Sequence, residues 1–315
     1  MPPGPTTSRR RSGVRALALA LALVPGFAAG VAGAADVAPR PSEGCSATSI
    51  ATGRRIEQTI TVDGVVREYI LDVPETLSPG RPAALLFDFH GVGHSGAGVW
   101  DVSGFRELAP RERFITVYPT GLPVRFTRGD RTFGGPGWEI RTLAPNRDVD
   151  FTIAVLDRLE RTYCIDRARV YSTGFSNGGF FSHVLACTHP ERFAAIAPVS
   201  GGWLASWSCA PSRPVPVLIH HGTRDDVIDV TEARRAFDAW LAIDGCAAPP
   251  GAPPAAPASS TTAASDITCR TGTGCRDGAA VVSCEGDFAH RWPPSATARV
   301  WEFLRAPPLP SGNDG

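Results

Sequence analysis

Ser176 stands between Gly174 and Gly178 in Val170-Tyr-Ser-Thr-Gly174-Phe-Ser176-Asn-Gly178-Gly179, a GxSxG spacing that suits a serine to attack a carbonyl. Val170, Tyr171 and Thr173 favour a strand, and the apolar residues from Phe180 to Cys187 recur at helical spacing. The segment therefore reads as a strand that bends sharply into a helix with a serine at the bend. Side chains at the flanking glycines would collide with the neighbouring strand and helix, so their absence leaves the Ser176 hydroxyl raised above the sheet. The amide of Asn177, opening the helix, points where negative charge would develop, and the helix dipole adds to that field.

A serine hydroxyl needs a base and an orienting acid, expected later in the chain in the order acid, then histidine. The apolar run Val215 to Ile219 ends in His220-His-Gly-Thr-Arg-Asp225-Asp226, a buried parallel strand delivering carboxylates at its C-terminal end. Asp225 is the expected acid, with Asp226 and Asp229 as alternatives. Val281 to Glu285 reads as a last strand, and the following turn carries His290, the only histidine after the acid loop and the expected base. Of the other histidines, His183 and His189 read as packing or capping residues. His220 and His221 end a strand without the spacing of a metal site, so neither metal nor cofactor is expected.

A second donor for the developing oxyanion should come from an earlier strand end. Ala83 to Phe89 is such a strand and His90-Gly91-Val92-Gly93 follows it, offering the amide of Val92 or Gly93. Trp138, in Gly135-Pro-Gly-Trp, and Trp292, two residues after His290, are candidates for an aromatic wall that binds substrate.

These groups must be carried by a scaffold. Thr59 to Val73 alternates apolar and polar residues around Asp63-Gly64, predicting a hairpin, and Phe114 to Tyr118 predicts a buried strand. Helices are expected over Asp148 to Tyr163, Thr231 to Ile243 and Ala298 to Leu304, and a strand over Phe193 to Val199. Strands alternating with helices imply an α/β protein with a mostly parallel sheet covered on both faces.

The charge is balanced, with Lys+Arg 31 against Asp+Glu 31, and no arginine stripe with interleaved aromatics appears, so no nucleic-acid partner is expected. Arg9, Arg10, Arg11 and Arg15 precede the apolar run Ala16 to Val24 and the small residues Ala32-Gly-Ala34, the pattern of a cleaved export signal over 1–35. Pro25 and Gly26 interrupt the run and argue against a retained anchor, so no stable membrane association is expected after cleavage. Residues 36–306 then form one catalytic domain. Within it, 247–265 is a loop rich in Pro, Ala, Ser and Thr, because His290 lies beyond it and must return to Ser176; 307–315 is expected to be a disordered tail. All eight cysteines lie beyond the signal, and an even number in an exported chain predicts disulfides.

Taken together, His90-Gly-Val-Gly93, Arg147-Asp-Val-Asp-Phe151, Tyr163-Cys-Ile-Asp166, the segment around Ser176, Ala197-Pro-Val-Ser-Gly201, His221-Gly-Thr-Arg-Asp225 and the Gly-Cys pairs at Cys246 and Cys275 resemble the secreted feruloyl esterases and polyhydroxybutyrate depolymerase-like esterases. The resemblance runs from about Cys45 to Leu304. It implies an α/β-hydrolase fold, Ser176, Asp225 and His290 as nucleophile, acid and base, and an ester as substrate. Where such proteins commonly have a glycine-rich turn before the histidine, this chain has Gly286-Asp-Phe-Ala-His290. The resemblance also implies disulfides Cys187–Cys209, Cys246–Cys275, Cys45–Cys164 and Cys269–Cys284. Feruloyl esters of plant cell-wall polysaccharide are the expected substrate, with 3-hydroxyalkanoate polyesters as the alternative and acetylated xylan a third ester. A secreted serine peptidase and a non-catalytic binding protein are the readings from other classes.

Overall fold

The computed structural model describes Met1, Gly4 and residues 38–128, 130–249 and 267–306. The expected export signal therefore lies outside the described residues apart from Met1 and Gly4, as do most of the 247–265 loop and the whole 307–315 tail. The fold is that of the unit Ala35–Gly315.

The chain forms β1 (Gly53–Val62), β2 (Val65–Val73), β3 (Ala83–Phe89), α1 (Gly96–Val102), α2 (Phe105–Glu112), β4 (Phe114–Pro119), β5 (Leu122–Arg128), β6 (Arg131–Gly137), α3 (Arg147–Thr162) and β7 (Ile165–Phe175). There follow α4 (Asn177–Thr188), β8 (Ala195–Val199), β9 (Val217–Gly222), α5 (Val230–Ile243), β10 (Ile267–Thr271), β11 (Val281–Gly286) and α6 (Pro294–Leu304). Nine strands make one sheet in the order β1-β2-β4-β3-β7-β8-β9-β11-β10, and β5 and β6 pair separately as a hairpin. The pairings from β4 through β11 are parallel, whereas β1 with β2, β2 with β4 and β10 with β11 are antiparallel.

Parallel strands buried on both faces need continuous apolar sequence. β3, β4, β8 and β9 are buried at every position. One face packs against Phe151, Val155 and Leu156 of α3, Phe181 and Leu185 of α4, and Phe237 and Trp240 of α5. The other packs against Val99, Phe105, Ala109, Val300 and Trp301, from α1, α2 and α6. The hairpin turn falls at Asp63 and Gly64, with φ of 49° and 76°. Both values suit the tight turn that matches strand twist. At the start of α3, Asn146 caps the helix by accepting the amides of Asp148 and Val149.

Four disulfides join Cys45–Cys164, Cys187–Cys209, Cys246–Cys275 and Cys269–Cys284, the pairs that the resemblance implies. The last ties the edge strand β10 to β11, where the two cysteines are directly opposite each other. Sequence reading does not anticipate the β5–β6 hairpin. Its strands are short and β6 contains three glycines and a proline, a composition that reads as a loop.

Candidate active site

Ser176 sits between β7 and α4 with φ 56° and ψ −118°, a backbone conformation that side chains rarely adopt. The flanking glycines are required by close approach. A methyl group at Gly178 would lie 2.1 Å from the Phe89 carbonyl oxygen, and one at Gly174 would lie 2.6 Å from the Gly178 backbone. The bend is held on both sides: Ser176 N–H donates to Val199 O at 2.9 Å, and Ser176 O accepts the Phe180 amide at 3.0 Å.

The fold brings two further side chains to this serine. His290 Nε2 lies 2.9 Å from Ser176 Oγ, and its Nδ1 lies 2.8 Å from Asp225 Oδ2. A carboxylate can only accept, so Nδ1 carries the proton and Nε2 is left to accept from the serine hydroxyl. Asp225 Oδ1 accepts the amides of Val227 and Ile228 at 3.0 and 2.8 Å. Burial alone would raise the Asp225 pKa. The bonds from His290 and Ile228, with the nearby imidazoles, outweigh it and hold the carboxyl below its ordinary value. Of the alternative acids, Asp226 is exposed and Asp229 caps α5 through the Thr231 amide.

His221 is a neighbour that sequence reading places only at a strand end. Its Nε2 lies 2.8 Å from the Ile228 carbonyl oxygen and 3.4 Å from Asp225 Oδ2, so this ring supports the acid loop. The visible signal is its spacing of four residues before Asp225. Burial lowers the His221 pKa, keeping the ring neutral beside the carboxylate.

Two backbone amides face the same region. Those of Val92 and Asn177 have no hydrogen-bond partner among the described residues. Gly93 is different: its amide donates to Pro136 O at 2.8 Å and is not free to serve a substrate. Between the two residues considered, Val92 is therefore the available donor. His90 holds this loop, its Nε2 accepting the Gly121 amide at 2.9 Å while Nδ1 lies 2.7 Å from Gly91 O. Burial pushes the His90 pKa down to about 4, which keeps Nε2 an acceptor.

Neither tryptophan forms the expected wall. Trp138 is fully buried, stacked on Phe181 and edge-on to Phe89, and its Nε1 donates to His90 O at 2.9 Å. The hairpin base carries it beneath the site, where it cannot present a surface to substrate. Trp292 turns away to pack on Phe105 and donates to Thr297 Oγ1. His183 accepts from Trp240 Nε1 in the core, and burial pushes its pKa down to about 3. His189 ends α4 beside the Thr188 hydroxyl. Among the described residues no group of three or more His, Cys, Asp or Glu side chains is placed to hold a metal ion.

A nine-stranded, mostly parallel sheet between helices, with a serine at a strained strand-to-helix turn beside a histidine and a carboxylate, defines an α/β hydrolase. The chain belongs to the phospholipase/carboxylesterase family, whose model matches residues 72–244, and it is a carboxylic ester hydrolase. It is 30% identical over 225 residues to feruloyl esterase D of Neurospora crassa, a match covering 67% of this chain and 71% of that protein. Feruloyl esterase C of Emericella nidulans is 29% identical over 185 residues, 57% of this chain and 63% of the relative. A bifunctional acetylxylan esterase/xylanase of Neocallimastix patriciarum is 31% identical over 166 residues, 53% of this chain and 22% of the relative. The chain thus spans less than two thirds of the last two. Among solved structures, an acetyl xylan esterase from Aspergillus awamori superposes with a TM-score of 0.56 at 18% identity, covering 79% of this chain and 98% of that one. At that identity the likeness concerns the fold.

Proposed function

We propose that the protein is a secreted serine esterase that releases hydroxycinnamates such as ferulate from plant cell-wall polysaccharide. The mechanism rests on one observation, the bridge that His290 makes between Ser176 Oγ and Asp225. As Ser176 Oγ attacks the ester carbon, its proton passes to His290 Nε2 and the carbonyl electron pair moves onto oxygen. Asp225, held ionised, stabilises the imidazolium and fixes its tautomer. The oxyanion is met by the amides of Asn177 and Val92. When the intermediate collapses, the carbon–oxygen bond to the alcohol breaks and His290 returns the proton to the leaving oxygen. Water then attacks the acyl-serine by the same route, regenerating the hydroxyl.

The substrate class is supported by the likeness to feruloyl esterases from two fungi. An acetylated xylan is the second reading, supported by the acetylxylan esterase/xylanase relative. Export is supported by the basic and apolar pattern of 1–35 and by four disulfides in one chain.

Initial rates on methyl ferulate, acetylated xylan and a 3-hydroxybutyrate oligomer, for the mature oxidised protein and its Ser176→Ala variant, test the proposal. Ferulate hydrolysis lowered about 10⁶-fold in the variant is expected. Turnover of acetylated xylan or of the oligomer without ferulate would replace the substrate, and hydrolysis that survives in the variant would overturn the mechanism.

A further inference from the structure

The two amides assigned to the oxyanion come from separate parts of the chain, one after β3 and one at the start of α4. Both must lie within about 3 Å of a single oxygen atom to act together. Three consecutive residues at the end of β6 touch both. Pro136 O accepts the amide of Gly93, the residue after Val92, at 2.8 Å. Trp138 N–H donates to Asn177 Oδ1 at 2.6 Å, and Asn177 Nδ2 donates back to Trp138 O at 3.1 Å. The Trp138 ring reaches under the Val92 loop to donate to His90 O. Gly137, between them, has no room for a side chain: a methyl group there would lie 2.9 Å from Asn177 Oδ1 and 3.3 Å from Val92 Cγ2. Trp138, Asn177 and His90 are each no more than 4% exposed, so water cannot take over these bonds.

We propose that Pro136–Gly137–Trp138 is a strap that sets the separation of the two oxyanion amides, with Trp138 and the Asn177 side chain as positioning residues. The inference rests on the serine-esterase reading above. It gives the Asn177 side chain a task distinct from that of its own amide, and it gives Trp138 a part in the reaction without contact with substrate. The strap closes the base of the β5–β6 hairpin, where Gly121 donates to His90 Nε2 and a methyl group at Gly121 would lie 2.2 Å from Gly137 O. The hairpin therefore acts as the anchor from which both donors are held.

The test uses 4-nitrophenyl acetate and its thiono counterpart, in which sulfur replaces the carbonyl oxygen. Sulfur accepts hydrogen bonds poorly, so the rate advantage of the oxygen ester reports how well the amides are placed. For Asn177→Ala, which keeps the amide and removes the clamp, kcat on the oxygen ester should fall about 10- to 100-fold, less than the loss of a whole donor. KM should stay within about twofold, and the oxygen-over-sulfur advantage should shrink by a similar factor to kcat. Trp138→Phe, which keeps the stacked ring and loses only the bond to His90 O, should shift the same ratio in the same direction by a smaller amount. Its milder change keeps the proposal falsifiable if Asn177→Ala does not fold. A folded variant of either kind with the parent's kcat and oxygen-over-sulfur ratio would overturn the strap. Parent hydrolysis that survives Ser176→Ala would instead overturn the underlying esterase mechanism.

Discussion

Asp225 meets His290 Nδ1 with one carboxylate oxygen at 2.8 Å, while its other oxygen is held by two amides of its own loop. The acid is thus fixed before it orients the base. Asp225→Asn should lower kcat about 10⁴-fold, because an amide in that position can donate to Nδ1 and trap the wrong tautomer. Asp226→Asn, at an exposed position, should stay within about threefold of the parent. Steady-state hydrolysis of 4-nitrophenyl acetate separates the two, and the opposite ranking would reassign the acid.

Arg67 and Asp148 form an ion pair at 2.7 Å with both side chains almost wholly buried. Asp148 also accepts the Glu139 amide at 2.8 Å, and the Arg67 guanidinium lies 4.0 Å over the Phe151 ring. Removing one partner leaves the other charge buried without compensation. Arg67→Met should therefore cost about 3 to 5 kcal/mol in urea unfolding, whereas Arg67→Met with Asp148→Leu should recover most of the loss. Equal losses in the single and double variants would show that the charges are not coupled.

Legibility from sequence follows the range of the interaction. The turn at Ser176 is readable because its glycines are imposed within a few residues, by the strand before it and the helix after it. Asp225 and His290 are readable in chain order, but choosing Asp225 over Asp226 needs the path of the loop after β9. Trp138 is not readable, since a tryptophan beside glycines looks the same in a substrate cleft as in a core. Its burial follows from the β5–β6 hairpin, and its partner Asn177 lies 39 residues away. The bond from Gly93 to Pro136 is hidden for the same reason, so the choice between Val92 and Gly93 could not be made from their types. The edge strand β10 becomes evident only through its pairing with β11.

The Cys45–Cys164 bridge spans 119 residues, whereas Cys269–Cys284 spans 15. In the chain-entropy model the longer loop restricts the unfolded chain more. Replacing both cysteines of the long bridge by alanine should cost about 5 kcal/mol, against about 3 kcal/mol for the short one. Urea unfolding of the two double variants checks the ranking, and a reversed order would place the stabilisation in native contacts around the bridges.

Asp88 lies inside β3 with neither carboxyl oxygen hydrogen-bonded in normal geometry among the described residues. Burial, opposed by the Ser103 hydroxyl, pushes its pKa up from 3.8 to about 7. Asp244, buried with one oxygen on the Val215 amide, is raised to about 7 as well, chiefly by burial. A carboxyl whose folded pKa is raised binds more protons folded than unfolded between those two values. Its contribution to stability is full below about pH 4 and is lost as pH rises through about 7. Asp225 acts in the opposite sense, since its lowered pKa stabilises the fold above the ordinary carboxylate range and that contribution disappears only in acid. The protein should therefore be less stable at pH 8 than at pH 5. For Asp88 alone the difference reaches about 4 kcal/mol at most, from about three pKa units in a fully buried group. In Asp88→Asn the charge cannot form, so the fall in thermal midpoint between pH 5 and pH 8 should shrink relative to the parent. An unchanged fall in that variant would place the pH dependence elsewhere, with Asp244→Asn the next variant to measure.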